Sequence, residues 1–205
     1  QLSRDLVTDL LQHDTASFSV DGGTTPGLIF DDLCAADLEW DRVRVMPTDE
    51  RWVPADHERS NGRMIGARLL TNRAAAARYL PFYAPAREPE DVLAEVEALI
   101  VPELPISVLL LGMGGDMHTA SLFPGTMGLE EALAADAPVL SVLRPDSQPE
   151  ARVSLSARVL DAAIAKHLVI FGDEKRRALE KAMTLPPEEA PIQAVLSETT
   201  VHWAP

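Results

Sequence analysis

The sequence has a single cysteine, Cys34, and it has no long apolar run. One cysteine excludes an intramolecular disulfide and a cysteine-based zinc or iron–sulfur site, and it favours a reducing, cytoplasmic location. The longest apolar runs, such as residues 106–111, are far shorter than the roughly 18 residues of a membrane span. No signal-peptide pattern opens the chain. We therefore expect no membrane-inserted segment.

Positive charge is also scarce, because 18 basic residues face 32 acidic ones and the formal net charge is −14. A surface that binds nucleic acid needs clustered Lys and Arg, so we expect no nucleic-acid partner. An anionic ligand would have to be met by a few local cations. Only Lys166, Lys175 and Lys181 are lysines, so each can be considered separately.

What the chain does have is enough apolar sequence for a substantial core. It has 205 residues, 46% of them hydrophobic, which fits one large domain or at most two small ones. Short β-type runs alternate with segments long enough for helices, and this pattern predicts an α/β fold with a mostly parallel sheet and helices on both faces. The predicted strands lie at 18–20, 43–46, 106–111, 139–143, 168–171 and 201–203.

Three helices are predicted from local signals. Apolar spacing predicts a helix over 88–100, with acidic residues in its first turn. A second helix should follow GTTPG, with Thr25 as its N-cap and Pro26 in its first turn. A third should span GDEKRRALEKAM, with Asp173 as its N-cap.

Polar or glycine-rich segments follow four of the predicted strands. They are DGGTTPG after SFSV, PTDERWVP after VRVM, GMGGDMH after ISVLLL, and GDEK after LVIF. The carboxyl ends of parallel strands meet at one edge of a sheet, where open α/β proteins bind ligands. Four such segments together predict a ligand site at that edge.

The first of these segments suits a phosphate group. Gly22 and Gly23 would let backbone N–H groups approach an anion, and the following helix would add positive potential. Thr24 and Thr25 belong to the same candidate phosphate segment. An ordinary glycine turn with a Thr cap is the alternative, because the segment is neither the dinucleotide fingerprint nor a complete P-loop.

The segment GMGGDMHTASLFPG at 112–125 carries the clearest acid–base candidates. Asp116 and His118 lie two residues apart and would face the same side of an extended segment. Histidine exchanges protons near neutral pH, and a neighbouring carboxylate can orient its ring. The alternatives are a buried core histidine, an aspartate that caps a turn, or a pair of metal ligands. No third ligand lies at a recognised spacing, so we expect no metal. Ser121 lacks the GxSxG context of a serine hydrolase.

Other charged residues near the strand ends have weaker signals. The segment DER at 49–51 could be a solvated charge run, but Trp52 and Pro54 favour a fixed loop. Lys175 falls in a first helical turn, where acids are preferred, which suggests that it faces an anion. Arg152 in PEARVSLS could equally be an exposed charge at a strand edge.

Taken together, these segments resemble the 6-phosphogluconolactonases, relatives of the glucosamine-6-phosphate isomerase/deaminases. The similar stretches are SVDGGTTP, TDERWVPADHERSN, LLLGMGGDMHTASLFPG, PEARVSLS and LVIFGDEKRRALEKA, which extend from Phe18 nearly to Trp203. The histidine motif and DERxVPxxHxxSN are specific. The resemblance implies a single domain over 1–205 with a three-layer Rossmann-like fold and no nucleotide cofactor. Family members usually begin with a further strand, which this chain would lack.

The resemblance also implies an activity, the hydrolysis of 6-phospho-D-glucono-1,5-lactone to 6-phosphogluconate in the oxidative pentose phosphate pathway. The resemblance implies no cofactor, and the only partner that it implies is that phosphosugar lactone. We expect a monomer or a weak homodimer. By position, His118 would transfer the proton beside Asp116, while Arg51 and Asp49 line the pocket. The phosphate would be held by Gly22, Gly23, Thr24, Arg152 and Lys175.

Two residues depart from the family pattern. Met117 stands where the family usually has glycine, and a positive φ there would strain a bulky side chain. Asp21 replaces the usual small residue before the two glycines, and its charge would oppose a phosphate unless it points away.

Two rival functions remain. An amino-sugar-phosphate isomerase/deaminase would carry an acidic residue in an asparagine-rich stretch after the histidine, whereas this chain has ASLFPG. A non-catalytic sugar-phosphate sensor could lose His118 and would normally carry a DNA-binding segment, for which this chain shows no candidate.

Overall fold

The computed structural model describes residues 1–146 and 148–205, with only the backbone of Thr24 and Thr25. The helices are α1 (Leu2–Leu10), α2 (Thr24–Leu33), α3 (Asn61–Arg68), α4 (Leu93–Ile100), α5 (Leu129–Leu133), α6 (Ala157–Asp161) and α7 (Gly172–Ala182). The strands are β1 (Ala16–Val20), β2 (Val43–Pro47), β3 (Asp49–Arg51), β4 (Arg78–Tyr79), β5 (Val108–Leu111), β6 (Leu140–Leu143), β7 (Arg152–Leu155), β8 (Ala165–Phe171) and β9 (Thr199–Ala204).

The main sheet is parallel, with the strand order β4-β2-β1-β5-β8-β9. Successive side chains of a strand point to opposite faces of the sheet, and helices cover both faces, so strand β5 is buried on both sides. Leu109 and Leu111 pack in a core with α4 to α7. Val108 and Leu110 pack in a second core with α1 to α3. The predicted α/β fold, a mostly parallel sheet with helices on both faces, is confirmed.

A second, antiparallel sheet was not predicted from the sequence, and its strand order is β3-β7-β6. The segment DER at 49–51 is itself strand β3, and Asp49 pairs with Ser154 of β7. The predicted strand at 139–143 belongs to this sheet as β6 and pairs with β7. Arg152 therefore lies on a central strand and is only 3% exposed, so its interpretation as an exposed edge charge is wrong.

Two helix caps differ from the predictions. Helix α2 begins at Thr24 with Gly23 as its N-cap, so the prediction of Thr25 as cap is wrong. Helix α7 begins at Gly172, whose φ is +82°, and its N-cap is Phe171. Because glycine adopts this left-handed conformation easily, the chain turns directly from β8 into the helix, and Asp173 lies in the first turn instead of capping it.

The helix predicted over 88–100 begins as a separate turn. Residues Pro89–Asp91 form a 3₁₀ turn that is capped reciprocally by the Glu88 and Asp91 side chains, and α4 follows from Leu93. Among the helices described, none combines the length and apolar character that a membrane crossing requires.

Candidate active site

The four predicted strand-end segments meet around a cavity of about 250 Å³. Each segment contributes side chains or backbone from a different part of the chain. The wall consists of Asp21 and Gly23 after β1, Asp49 and Arg51 on β3, Gly112, Met113, Gly114, His118, Ala120 and Phe123 after β5, Lys175 on α7, and Asn61, Gln148 and Arg152.

His118 is oriented by Asp116. Its Nδ1 atom lies 2.5 Å from Asp116 Oδ1, and its backbone N–H donates to the same oxygen at 3.3 Å. The hydrogen bond from His118 is the main reason why the pKa of Asp116 is lowered, so this carboxylate is ionised at neutral pH. An ionised partner at Nδ1 favours the tautomer in which Nε2 is free to accept a proton. Asp116 itself is half-exposed and does not line the cavity.

The His118 ring is held from two sides. Phe123 packs against it with ring centroids 4.2 Å apart. Gly114 lies on another side, where a Cβ atom would overlap with the ring and with the Asp116 carboxylate. A side chain at 114 would therefore displace the histidine, and the glycine leaves room for its ring.

Backbone strain in this loop falls on residues other than glycine. Met117 has φ of +67° and Ala120 has φ of +48°. Left-handed backbone costs an L-residue roughly 1–2 kcal/mol. The Met117 side chain packs against the apolar core, and its carbonyl accepts a hydrogen bond from Ile192 N at 3.1 Å. These contacts offset the strain at Met117.

Asp49 connects three parts of the cavity wall. Its carboxylate is buried and accepts a hydrogen bond from Ser121 Oγ at 2.5 Å. Asn61 Nδ2 donates to its backbone carbonyl at 2.7 Å, and Arg152 Nη1 lies 3.7 Å from Oδ2. Asp49 thereby fixes the histidine loop and Arg152 relative to β3, and the Ser121 hydroxyl is the donor that joins the loop to Asp49.

Glu50, the next residue, points away from the cavity and supports α3. It is 2% exposed, and its oxygens accept from the backbone N–H groups of Arg51, Asn61 and Gly62 at 2.7–2.8 Å. Burial raises its pKa, although these hydrogen bonds oppose the change. Neighbouring residues of one strand thus have different roles because they face opposite sides.

The cations of the cavity come from separate elements. The Arg152 guanidinium is buried, which is the main reason why its pKa is lowered, and its Nη2 donates to Gln148 Oε1 at 3.0 Å. Arg59 Nη2 donates to the same oxygen at 3.1 Å. Arg51 Nη1 donates to the carbonyl of Arg59, and Lys175 Nζ donates to that of Met113. In a chain with a strong excess of acids, the cavity wall carries three cations, Arg51, Arg152 and Lys175, beside the two carboxylates Asp21 and Asp49.

The structure brings together most of the predicted site residues, but not all of them. Gly23 lines the cavity, whereas Gly22 faces Asn61 and a Cβ there would overlap with that side chain. The side chains of Thr24 and Thr25, which were predicted to bind phosphate, lie outside the described residues. No group of three or more His, Cys, Asp or Glu side chains in residues 1–146 and 148–205 is arranged to hold a metal ion.

Several lining residues were absent from the predicted set. Asn61 and Phe123 belong to the motifs DERxVPxxHxxSN and SLFPG, so the motifs contained a signal for them. Asp21 was noticed only as an unusual residue. Gln148 had no sequence signal, because its position depends on Arg59, which is distant along the chain, as well as on the nearby Arg152.

Comparison with known proteins shows similarity across this whole arrangement. A family model described as "Glucosamine-6-phosphate isomerases/6-phosphogluconolactonase" matches residues 1–203. A 6-phosphogluconolactonase of Mesorhizobium japonicum is 42% identical over 98% of this chain and 86% of that protein. One from Pseudomonas aeruginosa is 38% identical over 96% of this chain and 84% of that protein.

Solved structures show the same relationship in three dimensions. The crystal structure of a 6-phosphogluconolactonase from Shewanella baltica has a TM-score of 0.93 at 30% identity, covering 98% of this chain and 88% of that one. The sequence match includes every segment that forms the cavity wall. The chain therefore belongs to the glucosamine-6-phosphate isomerase/6-phosphogluconolactonase family.

Proposed function

We propose that the protein hydrolyses 6-phospho-D-glucono-1,5-lactone to 6-phospho-D-gluconate, a step of the oxidative pentose phosphate pathway. The observation that carries the proposal is His118, oriented by Asp116, in a cavity that also contains Arg51, Arg152 and Lys175. Such a site combines a base with positive charge for an anionic substrate. Relatives named 6-phosphogluconolactonase support the assignment.

The reaction needs no covalent enzyme intermediate, because a lactone is an activated ester. His118 Nε2 removes a proton from water, whose oxygen attacks C1 and forms a tetrahedral oxyanion. The bond from C1 to the ring oxygen then breaks, and His118 returns the proton to that oxygen. General base catalysis contributes about 10²- to 10⁴-fold to the rate. Arg51 can stabilise the oxyanion, which adds about 10²- to 10³-fold.

The phosphate group is met by cations and by backbone. Arg152 and Lys175 reach the cavity from β7 and α7, and the N-terminus of α2 borders it at Gly23, whose own N–H is hydrogen-bonded to Asp21. Backbone N–H groups at a helix N-terminus attract anions. In this scheme no metal or cofactor takes part, and the cytoplasmic location stays a prediction from the cysteine content.

The deaminase and sensor alternatives have less support. Ser121 holds Asp49 and Phe123 holds His118, so the SLFPG stretch has a defined place in this site. No acidic residue occurs in residues 119–125, where the deaminase pattern carries one. A sensor has no need for a histidine aligned with a carboxylate.

One assay separates the three functions. The purified protein is given freshly prepared lactone or glucosamine 6-phosphate, and acid and ammonia release are followed with and without EDTA. Acid release above the spontaneous rate, unchanged by EDTA, supports the metal-free lactonase, ammonia supports the deaminase, and binding without turnover supports the sensor. The His118→Ala variant, with folding checked by circular dichroism, is the control. Full lactonase activity in that variant would refute the proposed mechanism.

A further inference from the structure

Asp21 lines the cavity but has no part in the reaction scheme above. It follows β1 directly, and its backbone N–H donates to Leu110 O at 3.0 Å. Its Oδ2 atom lies 3.1 Å from the point where a Cβ would stand on Gly23, and a Cβ on Gly112 would overlap with it. The carboxylate is therefore held between two backbone segments that both border the cavity, and Gly112 leaves room for it.

The oxygens of Asp21 have fewer described hydrogen-bond partners than those of the buried carboxylates Asp49 and Glu50. Glu50 accepts from three backbone N–H groups, and Asp49 accepts from Ser121. For Asp21 the Gly23 amide is a partner, and no described side chain donates to it. Burial raises the pKa of Asp21 to about 6, with Asp49 adding to the effect and His118, Gly23 and Arg51 opposing it. At neutral pH it is therefore mostly an anion, and it is partly exposed to the cavity with unused acceptor capacity.

The chemistry of the substrate indicates which of its groups Asp21 can meet. A phosphosugar lactone carries a phosphate, which is an anionic acceptor, and ring hydroxyl groups, which are neutral donors. A carboxylate repels the first and binds the second, and a hydrogen bond to a charged acceptor is among the stronger ones in proteins. The cations that suit the phosphate, Arg152 and Lys175, are on other elements of the cavity wall.

We propose that Asp21 is a specificity-determining residue that accepts hydrogen bonds from hydroxyl groups of the lactone ring and turns C1 toward His118. This inference rests on the proposed function. In this orientation of the substrate, the phosphate lies toward Arg152 and Lys175 and away from Asp21. Loss of a hydrogen bond to a charged group reduces kcat/KM by about 10- to 100-fold.

The test pairs a change in the protein with a change in the substrate. The wild type, Asp21→Ala and Asp21→Asn are assayed with 6-phosphogluconolactone and with its 2-, 3- and 4-deoxy analogues. In the wild type, at least one deoxy analogue should lose about 10- to 100-fold in kcat/KM. In Asp21→Ala the same analogue should lose less than about 3-fold relative to the full substrate, because its partner is already gone. Asp21→Asn keeps one acceptor oxygen and should fall between the two.

The matched control is Asp32→Ala, which removes the same charge from an exposed position of α2. It should show the wild-type pattern with every analogue. Equal losses in the wild type and Asp21→Ala would overturn the inference, even if Asp21→Ala were less active overall, because a merely structural role lowers all rates together. Wild-type protein that does not accelerate lactone hydrolysis would overturn the proposed function as well.

Discussion

Replacing Asp21 with Asn should stabilise the protein by an amount that grows with pH. Burial raises the pKa of Asp21 from its ordinary value of 3.8 to about 6 in the folded protein. Below pH 3.8 the carboxyl is protonated in both the folded and unfolded states, so its ionisation costs nothing. As the pH rises to about 6, the unfolded state releases the proton first, and the free energy of unfolding of the wild type falls. The difference between 3.8 and about 6, at 1.36 kcal/mol for each pH unit, corresponds to about 3 kcal/mol.

Urea unfolding of the wild type and Asp21→Asn from pH 4 to pH 8 measures this effect. The difference in unfolding free energy between the two should be greater at pH 8 than at pH 4 by about 2.5 kcal/mol, because part of the change has already occurred at pH 4. The amide of Asn must also be desolvated, but that cost does not depend on pH. The test is therefore how the difference in unfolding free energy changes with pH, and not its absolute value at one pH. An Asp32→Asn control at the exposed position on α2 should give a flat difference. A flat difference for Asp21→Asn as well would refute the reasoning.

Two further substitutions test the histidine loop. Asp116→Asn removes the ionised partner of His118 Nδ1, so kcat should fall about 10- to 100-fold with KM nearly unchanged, as steady-state kinetics would show. A change in KM alone would instead place Asp116 in substrate binding. Met117→Gly should be more stable to urea unfolding than Met117→Ala, with a free energy of unfolding about 1 kcal/mol higher. Both variants lose the methionine side chain beyond Cβ, and only alanine keeps the left-handed strain. The opposite order, which is usual where φ is negative, would show that the loop relaxes when Met117 is removed.

The parallel sheet could be predicted from the sequence because each of its longer strands has its own signal. Apolar runs with β-branched residues stood between helical segments, as in 106–111 before the glycine-rich loop. The antiparallel sheet had no such signal. Strand β3 has only three residues, all of them charged, and it pairs with residues about a hundred positions away. A local pattern cannot reveal a strand whose partner is distant along the chain.

The location of the candidate site could be predicted from the sequence, but the roles of its residues could be predicted only in part. Strand ends in a parallel sheet meet at one edge, which brought Gly23, Arg51, His118 and Lys175 to one cavity. The sequence could not separate Asp49 from Glu50, because that distinction depends on which face of β3 each occupies. Nor could it find Gln148, whose role depends on Arg59 and Arg152 arriving from different segments.

Several costly features of the described structure lie around this cavity, and others, such as the left-handed backbone of Asn72 and Glu198, lie outside its wall. Asp21 is a carboxylate whose pKa is raised by desolvation, Met117 and Ala120 have left-handed backbone, and Arg51 and Arg152 each bury an Nε atom without a hydrogen-bond partner among the described residues. By contrast, the cores on the two faces of the main sheet consist of apolar side chains. Strain and unsatisfied polar groups persist only where the surrounding structure holds them in place, and they are typical of binding and catalytic sites. Charged groups fixed before substrate arrives need no rearrangement during the reaction, so the same features that lower stability here favour catalysis.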